Sequence, residues 1–317
     1  MKLNKLAFVV RITLFGGVLA ATVNAQPSLR AALDFDGDGK ADRTIFRSDE
    51  NYWHIKTQSF ELHRPFGAAS TDTIAPGDFD GDGKGDIAIW RETEGRFHYF
   101  QSSTNTAGSR QLGLAGDEPV ARDYDGDGKT DCAVVRRTAG NLYWYIWESL
   151  SNLQVGYQYG ISSDFPAPGD YDGDGRFDRA VQRAAGGYLY FYVFQSTAGS
   201  FSVQFGQASD LFVPGDYDGD GKTDIAVVRG DDPNGNYEWY IRRSSDGSSL
   251  PAMYFGLPGR ADVPVQADYD GDGKTDIAVW VGSSPYVFHV QQSTNGLLSS
   301  VQYGKAGDFP VAAYDTH

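Results

Sequence analysis

Six near-identical acidic nonapeptides, spaced almost evenly along 317 residues, restrict what this chain can fold into more than any other feature. DFDGDGKAD begins at Asp34, DFDGDGKGD at Asp78, DYDGDGKTD at Asp123, DYDGDGRFD at Asp170, and DYDGDGKTD at both Asp216 and Asp268. The intervals are 44, 45, 47, 46 and 52 residues. A period in this range marks a solenoid, a propeller or a tandem array.

The rest of each unit recurs as well. After the acidic loop comes a short alternating segment such as DIAIWR (86–91) or DIAVVR (224–229), then an aromatic segment such as RFHYFQS, YWYIWES or YFYVFQS. A turn rich in Ser, Thr, Asn and Gly follows, then a stretch ending in VQFG, YQYG or VQYG, and a Pro-containing stretch such as FPAPGD leads into the next loop. Helical periodicity is missing, and β-branched and aromatic residues fill the periodic stretches. Four short strands in about 46 residues is the size of one propeller blade, and radial repetition disposes of sheet edges that a linear array leaves open. The expected fold is therefore all-β: a single β-propeller over residues 26–317, with six blades of about four antiparallel strands and seven blades as the alternative. The terminal FPVAAYDTH repeats the stretch before each loop and stops short of the loop, as a closing strand would; LRAALD (29–34) competes for the same innermost position.

Within each loop, carboxylates fall at positions 1, 3, 5 and 9. They are Asp34, Asp36, Asp38 and Asp42; Asp78, Asp80, Asp82 and Asp86; Asp123, Asp125, Asp127 and Asp131; Asp170, Asp172, Asp174 and Asp178; Asp216, Asp218, Asp220 and Asp224; and Asp268, Asp270, Asp272 and Asp276. Glycines at positions 4 and 6 permit a tight curl through positive φ. Aspartates about 4 Å apart repel by roughly 4 kcal/mol per pair at an effective dielectric near 20. A hairpin turn needs one Asp-Gly pair, so four aspartates at fixed spacing in six copies predict a cation. Oxygen-only ligands in a flexible loop suit Ca²⁺, about one ion per loop; Mg²⁺ asks for a smaller octahedral cage and Zn²⁺ for His or Cys, which the loops lack. By analogy with other calcium loops, position 7 (Lys40, Lys84, Lys129, Arg176, Lys222, Lys274) is expected to add a backbone carbonyl. An EF-hand is excluded, because position 12 holds Ile45, Ile89, Val134, Val181, Val227 and Val279 in place of a bidentate Glu.

Charge distribution supports this reading. The opening MKLNKLAFVVRITLFGGVLAATVNAQ, with Lys2, Lys5 and Arg11 around an apolar run and small residues at Val23 and Ala25, predicts a secretory leader cleaved after Ala25. Without it, 24 basic side chains face 42 acidic ones, a net −18; the 24 loop aspartates leave 18 other acids and put the rest of the chain at +6. The acidity is concentrated where cations would sit. One cysteine rules out an internal disulfide framework, and Cys132, in DCAVV where sister units read DIAVV, is expected as a small buried apolar side chain.

Loops of the form Asp-x-Asp-Gly-Asp-Gly-x-x-Asp, preceded by Phe-Gly or Tyr-Gly and a Gly/Ala-Pro element (QFG at 204–206, APG at 167–169), resemble the FG-GAP repeat, the related VCBS repeats of bacterial surface proteins and the integrin α-subunit propeller. The resemblance covers nearly the whole chain after the leader. It implies a propeller with Ca²⁺ held through loop positions 1, 3, 5 and 9, and all six loops match. Leu112–Gly113 replaces Phe-Gly in one unit, and the Pro element is degraded before Asp34 and Asp268.

Two further rows recur. Arg47, Arg91, Arg136, Arg183 and Arg229 follow the last loop aspartate by five residues, with Val281 the exception; a repeated inter-blade ion pair is expected over a cationic ring for an anionic ligand. His98, Tyr145, Tyr192, Tyr240 and His289 share one position, joined by His54 after a one-residue offset, and are expected as inter-blade packing. No phosphate loop, zinc signature or nucleophile motif occurs, and basic stripes with interleaved aromatics are lacking, which argues against nucleic acid as a partner. The functional expectation is an exported, non-catalytic binding or adhesion module, secreted, periplasmic or at the cell surface, for glycans or proteins. It has no membrane span once the leader is removed. A polysaccharide lyase or hydrolase on a calcium propeller is one alternative, with the extra stretch GDDPNGN (230–236) the first place to seek its site; a structural assembly protein is the other.

Overall fold

The computed structural model describes residues 32–230, 235–257 and 262–312. The predicted leader and most of GDDPNGN lie outside the described residues. Six four-stranded antiparallel sheets follow one another in chain order. Blade 1 contains β1 (Arg43–Arg47), β2 (Tyr52–Lys56) and β3 (Glu61–Pro65); blade 2 contains β4 (Asp72–Ile74), β5 (Ile87–Arg91), β6 (Arg96–Gln101) and β7 (Thr106–Gln111). Blade 3 is built from β8 (Glu118–Pro119), β9 (Cys132–Thr138), β10 (Asn141–Glu148) and β11 (Leu153–Ile161), and blade 4 from β12 (Phe165–Pro166), β13 (Arg179–Ala185), β14 (Tyr188–Gln195) and β15 (Gly199–Gln207). Blade 5 holds β16 (Leu211–Phe212), β17 (Ile225–Arg229), β18 (Glu238–Arg242) and β19 (Met253–Tyr254); blade 6 holds β20 (Asp262–Pro264), β21 (Ile277–Val281), β22 (Val287–Gln291) and β23 (Leu298–Gln302). This is the expected propeller, with six blades and not seven.

The competition for the innermost place in blade 1 is resolved in favour of the C-terminal segment. β24 (Asp308–Pro310) pairs antiparallel with β1, matching Phe309 to Phe46 and Asp308 to Arg47. Ala32 and Leu33 instead form a turn leading into the first acidic loop, with Leu33 buried. The ring is thus closed by hydrogen bonds between the two ends of the chain.

The second and third strands carry the core, because alternate residues of a blade enter the gaps on its two sides. Trp90, Phe97 and Leu112 of blade 2 pack with Ala121, Cys132 and Val134 of blade 3, which places Cys132 as expected. Trp53, Trp90, Trp144, Trp239 and Trp280 are all buried, and each indole N–H finds an acceptor: the carbonyls of Phe66, Leu112, Tyr159, Phe255 and Tyr303 at 2.9–3.2 Å. Each of those carbonyls belongs to the residue before the glycine of the Phe-Gly-type element. That glycine sits at positive φ, from 89° at Gly67 to 124° at Gly304, and a Cβ at Gly256 would lie 2.8 Å from Val279. Leu112 replaces the aromatic side chain without loss, since the backbone carbonyl is what the tryptophan uses.

The recurrent arginines do form ion pairs, but within a blade rather than between blades. Arg47 grips Asp308, Arg91 grips Asp72, Arg136 grips Asp117, Arg183 grips Asp164 and Arg229 grips Asp210, each through two hydrogen bonds of 2.7–3.1 Å. The aspartate lies on the inner strand or immediately before it, and the arginine lies beside it on the second strand. The same carboxylate accepts the amide N–H just after the turn glycine: Ala68 for Asp72, Leu114 for Asp117, Ile161 for Asp164, Gln207 for Asp210, Leu257 for Asp262 and Lys305 for Asp308, at 2.7–2.8 Å. Each aspartate therefore ties the end of one blade to the first strand of the next. In blade 6 Val281 replaces the arginine and the amide bond remains.

The shared aromatic position needs no offset: His54, His98, Tyr145, Tyr192, Tyr240 and His289 sit opposite the equivalent residues Ile45, Ile89, Val134, Val181, Val227 and Val279. Tyr145, Tyr192 and Tyr240 pack against inter-blade clusters, as expected. They also carry Arg136, Arg183 and Arg229 on their ring faces at 4.5–4.7 Å. Removing Arg136 would leave the Asp117 side chain, 1% exposed, without its cation. Arg136→Met is expected to lower unfolding stability by about 1–3 kcal/mol. Denaturant titration would check this; a midpoint equal to that of the parent protein would mean the pair contributes nothing.

Candidate metal centres

In blades 2 to 6 the acidic loop joins the inner strand to the second strand, and in blade 1 it leads from the Ala32–Leu33 turn into β1. Its mouth is closed by a backbone bridge at position 9, such as Asp86 to Gly77 or Asp178 to Gly169. All twelve glycines at positions 4 and 6 adopt positive φ, from 77° to 90°, so the curl expected from the sequence is present in every copy.

The four aspartates divide the work. Position 1 accepts the amides of both glycines: Gly81 donates to Asp78 Oδ1 at 2.6 Å and Gly83 to Oδ2 at 2.8 Å, and the other five loops repeat this within 2.6–2.9 Å. Position 9 accepts the amide of position 2, as Asp178 does from Tyr171 at 2.9 Å. Positions 3 and 5 are met by the turn between the third and fourth strands of the same blade. Ser103 Oγ donates to Asp80 at 2.7 Å, Ser102 Oγ to Asp82 at 2.9 Å, Thr197 Oγ1 to Asp172 at 2.7 Å, Ser245 Oγ to Asp218 at 2.5 Å and Thr294 Oγ1 to Asp270 at 2.7 Å. The amide of the first serine of this turn also reaches position 9: Ser102 to Asp86, Ser149 to Asp131, Ser196 to Asp178, Ser244 to Asp224 and Ser293 to Asp276. The sequence showed this turn as rich in Ser and Thr but gave no reason for it.

Blade 1 departs from the pattern. Its turn reads Thr57-Gln58-Ser59, and the Thr57 hydroxyl accepts the amides of Ser59 and Phe60 at 3.0 Å. Among the described residues nothing from this turn reaches Asp36, Asp38 or Asp42. Burial pushes the position-9 carboxyls up, with acceptor bonds pulling the other way and the neighbouring aspartates adding to the rise. Asp42 is raised to about 8, Asp86, Asp131 and Asp178 to about 7, and Asp224 and Asp276 to about 6. The uncapped loop has the highest value.

The loops also touch one another. The amide of position 8 donates to the carbonyl of position 1 in the preceding loop: Gly85 to Asp34, Thr130 to Asp78, Phe177 to Asp123, Thr223 to Asp170, Thr275 to Asp216, and Ala41 to Asp268 to complete the circle, all at 2.6–2.7 Å. The side chain at position 7 lies over the position-4 glycine of that preceding loop, where an added Cβ would come within 2.8–3.1 Å of its carbon chain, from Lys84 on Gly37 round to Lys40 on Gly271. Six acidic loops therefore form one continuous ring on one face.

The residues fit a divalent ion. Carboxylate oxygens of Asp34, Asp36 and Asp42 lie within 4.8 Å of one another, as do those of Asp78, Asp80 and Asp82; Asp123, Asp125 and Asp127; Asp170, Asp172 and Asp178; and Asp216, Asp218 and Asp224. Oxygens bound to one Ca²⁺ at about 2.3–2.6 Å lie within about 5 Å of each other. Asp172 Oδ1 is buried without a hydrogen-bond partner. Among the described residues no lysine or arginine forms an ion pair within 4.0 Å with the position-9 carboxylates Asp42, Asp86, Asp131, Asp178, Asp224 and Asp276, in contrast to the gripped aspartates at the other end of the inner strands.

Fold and site together define a six-bladed propeller with an acidic loop in every blade. The FG-GAP-like repeat family matches residues 30–89, 123–181 and 216–279, more than half of the chain, and the chain belongs to that family. Each matched segment runs from one acidic loop through the next, so all six loops fall within the match. No curated protein sequence matches the chain. Among solved structures, the chain is similar to a functionally unknown protein from Desulfotomaculum acetoxidans at 12% identity and a TM-score of 0.43, over 82% of this chain and 78% of that one. It is also similar to BBS1N in complex with ARL6DN, soaked with lead, at 11% identity and a TM-score of 0.48, over 84% and 79%.

The raised carboxyls give the metal-free protein a distinctive pH response. Between the unfolded aspartate value near 3.9 and the folded values of about 6 to 8, the folded state holds more protons than the unfolded one. This contribution is fully present below about pH 4 and is lost as pH rises through the folded values. With metal removed, the melting temperature is expected to fall between pH 5 and pH 8. Calorimetry in a chelating buffer checks this, and a melting temperature that rises across the interval would contradict it.

Proposed function

We propose that the protein is an exported, calcium-loaded binding module, holding about one Ca²⁺ in each loop and recognising a glycan or a protein outside the cytoplasm. The observation that carries the calcium reading is the ring of loops in which carboxylates crowd within 4.8 Å of one another and the position-9 acids have no lysine or arginine ion pair among the described residues. Ion binding through positions 1, 3, 5 and 9 would move the net charge of the chain without its leader from −18 to −6, for six ions. The inter-loop amide bonds would let an ion in one blade stiffen its neighbours.

Support for a binding role comes from the family and the architecture. FG-GAP propellers serve in general as binding or structural modules, and no helix among the described residues is long and apolar enough to cross a membrane. Export rests on the opening 25 residues of the sequence. A rigid propeller presents loops at both ends of its channel, and recognition is disproportionately a task of loops on rigid scaffolds.

An ion that binds only the folded loops stabilises by about 2.7 kcal/mol per site at a free concentration of a hundred times its Kd. Elemental analysis of the purified protein is expected to give about six calcium ions, and EDTA should lower the melting temperature markedly. Asp178→Asn should reduce the stoichiometry by about one and leave the fold intact. A folded protein carrying far fewer ions, with a melting curve indifferent to verified metal removal, would sink the calcium reading.

A further inference from the structure

The six inner strands enclose a central channel of about 370 Å³, walled largely by Ile74, Pro119, Pro166, Phe212, Pro264 and Pro310. A wall made by repetition should be the same in every sector, and this one is not. The residue after the inner-strand aspartate lines the channel as Thr73, Glu118, Phe165, Val263 and Phe309. Phe165 and Phe309 are 49% and 57% exposed. They belong to blades 4 and 1, three sectors apart in a ring of six, and so stand on opposite sides of the opening.

Polar groups interrupt the wall at defined places. Gln182 is the one second-strand residue that reaches it among the described residues. Its equivalents Phe46, Trp90, Val135, Val228 and Trp280 are apolar and buried. Gln182 puts an amide in that row, and its Oε1 has neither solvent nor a hydrogen-bond partner. Arg122 stands where sister blades have Gly77, Gly169 and Gly215, donating to the Ala121 carbonyl at 2.5 Å, and Glu118 is paired with Arg137 at 2.5 Å. Arg122 answers to Phe177 of the next loop, 5.9 Å from its guanidinium, whereas the Gln182 amide serves no requirement of the repeat, since sister blades fold with apolar side chains there.

We infer that the central channel is the ligand site of the module and takes one neutral, hydroxyl-bearing ring, a pyranose unit. This rests on the binding-module reading above. Two opposed, exposed phenyl rings suit a ligand with apolar C–H faces. A purely apolar ligand would leave the Gln182 amide unsatisfied, whereas a hydroxyl both donates and accepts and can meet either end of the amide as it turns about χ3. The single acid and single base of the wall balance, which gives a charged ligand no advantage. The volume lies in the range of small-ligand pockets, roughly 300–1,000 Å³.

The test uses the calcium-loaded full chain and substitutions borrowed from its own sister blades, which the fold already tolerates: Gln182→Val as in Val135, Phe165→Leu as in Leu211, and Phe309→Val as in Val263. Saturation-transfer NMR and calorimetry against a panel of neutral mono- and disaccharides should find a binder, and each substitution should weaken it roughly tenfold without lowering the melting temperature, Gln182→Val raising it. A neutral sugar bound equally well by all three variants would overturn the channel assignment and leave the binding-module reading standing. Binding confined to charged saccharides or to a protein would overturn the ligand class alone. Capture of no saccharide and no protein would overturn both.

Discussion

Two circles of buried aspartates stand at opposite ends of the six inner strands, and the difference in how they are neutralised governs the molecule. Asp72, Asp117, Asp164, Asp210 and Asp308 each leave water in the grip of an arginine, and the Arg91 guanidinium holds the Asp72 carboxyl below its ordinary value. In blades 2 to 5 the chain enters the acidic loop six residues further on, and there, among the described residues, no lysine or arginine forms an ion pair with the position-9 carboxyl. Asp86 is driven up to about 7, although it accepts two amides. A buried carboxylate without a cation either takes a proton or takes a metal. One circle is complete in the chain itself; the other is a fold waiting on its surroundings.

The loop circle is also where the blades are joined. Because the position-8 amide of one loop donates to the position-1 carbonyl of the loop before it, the curl that gathers carboxylates also sets the spacing between blades. Position 1 is central to both tasks: its carboxylate holds the two glycine amides and its carbonyl holds the next blade. The carboxylate that would meet a charge and the carbonyl that holds the next blade thus belong to the same residue in every loop.

Strand content, blade number and all 24 loop acids could be read from the sequence because each is local: a fixed spacing, an alternation, a glycine at a fixed offset. The partners across strands could not. The aspartates gripped by arginine lie six residues before loops 2 to 5, a regularity present in the sequence but hidden among 42 acids, and Asp308 meets Arg47 only because the chain ends come together. LRAALD and FPVAAYDTH were both apolar candidates for the closing strand; the second follows directly on Asp308, and its Phe309 and Pro310 pair with Phe46 and Ile45 while Asp308 sits opposite Arg47. The serine turn was visible as composition, and its meaning as a cap on positions 3, 5 and 9 required the fold.

What repeats in such a ring serves the ring, so the exceptions carry the more specific information. Some exceptions are structural repairs. Arg122 replaces a glycine that elsewhere makes room for a threonine of the next loop, and there the next loop offers Phe177, whose ring lies 5.9 Å from the guanidinium. Val281 removes an arginine from blade 6, where Asp262 keeps the Leu257 amide and its backbone carbonyl accepts the Tyr237 hydroxyl at 3.0 Å. Gln182 has no such compensation: its amide oxygen stays unpaired in a row of apolar side chains, a cost of about 1–3 kcal/mol that Val135 and Val228 show to be avoidable. A repeat protein that keeps an avoidable cost in one sector, beside a half-exposed phenylalanine and open to the channel, has departed from its symmetry where a ligand would need it to.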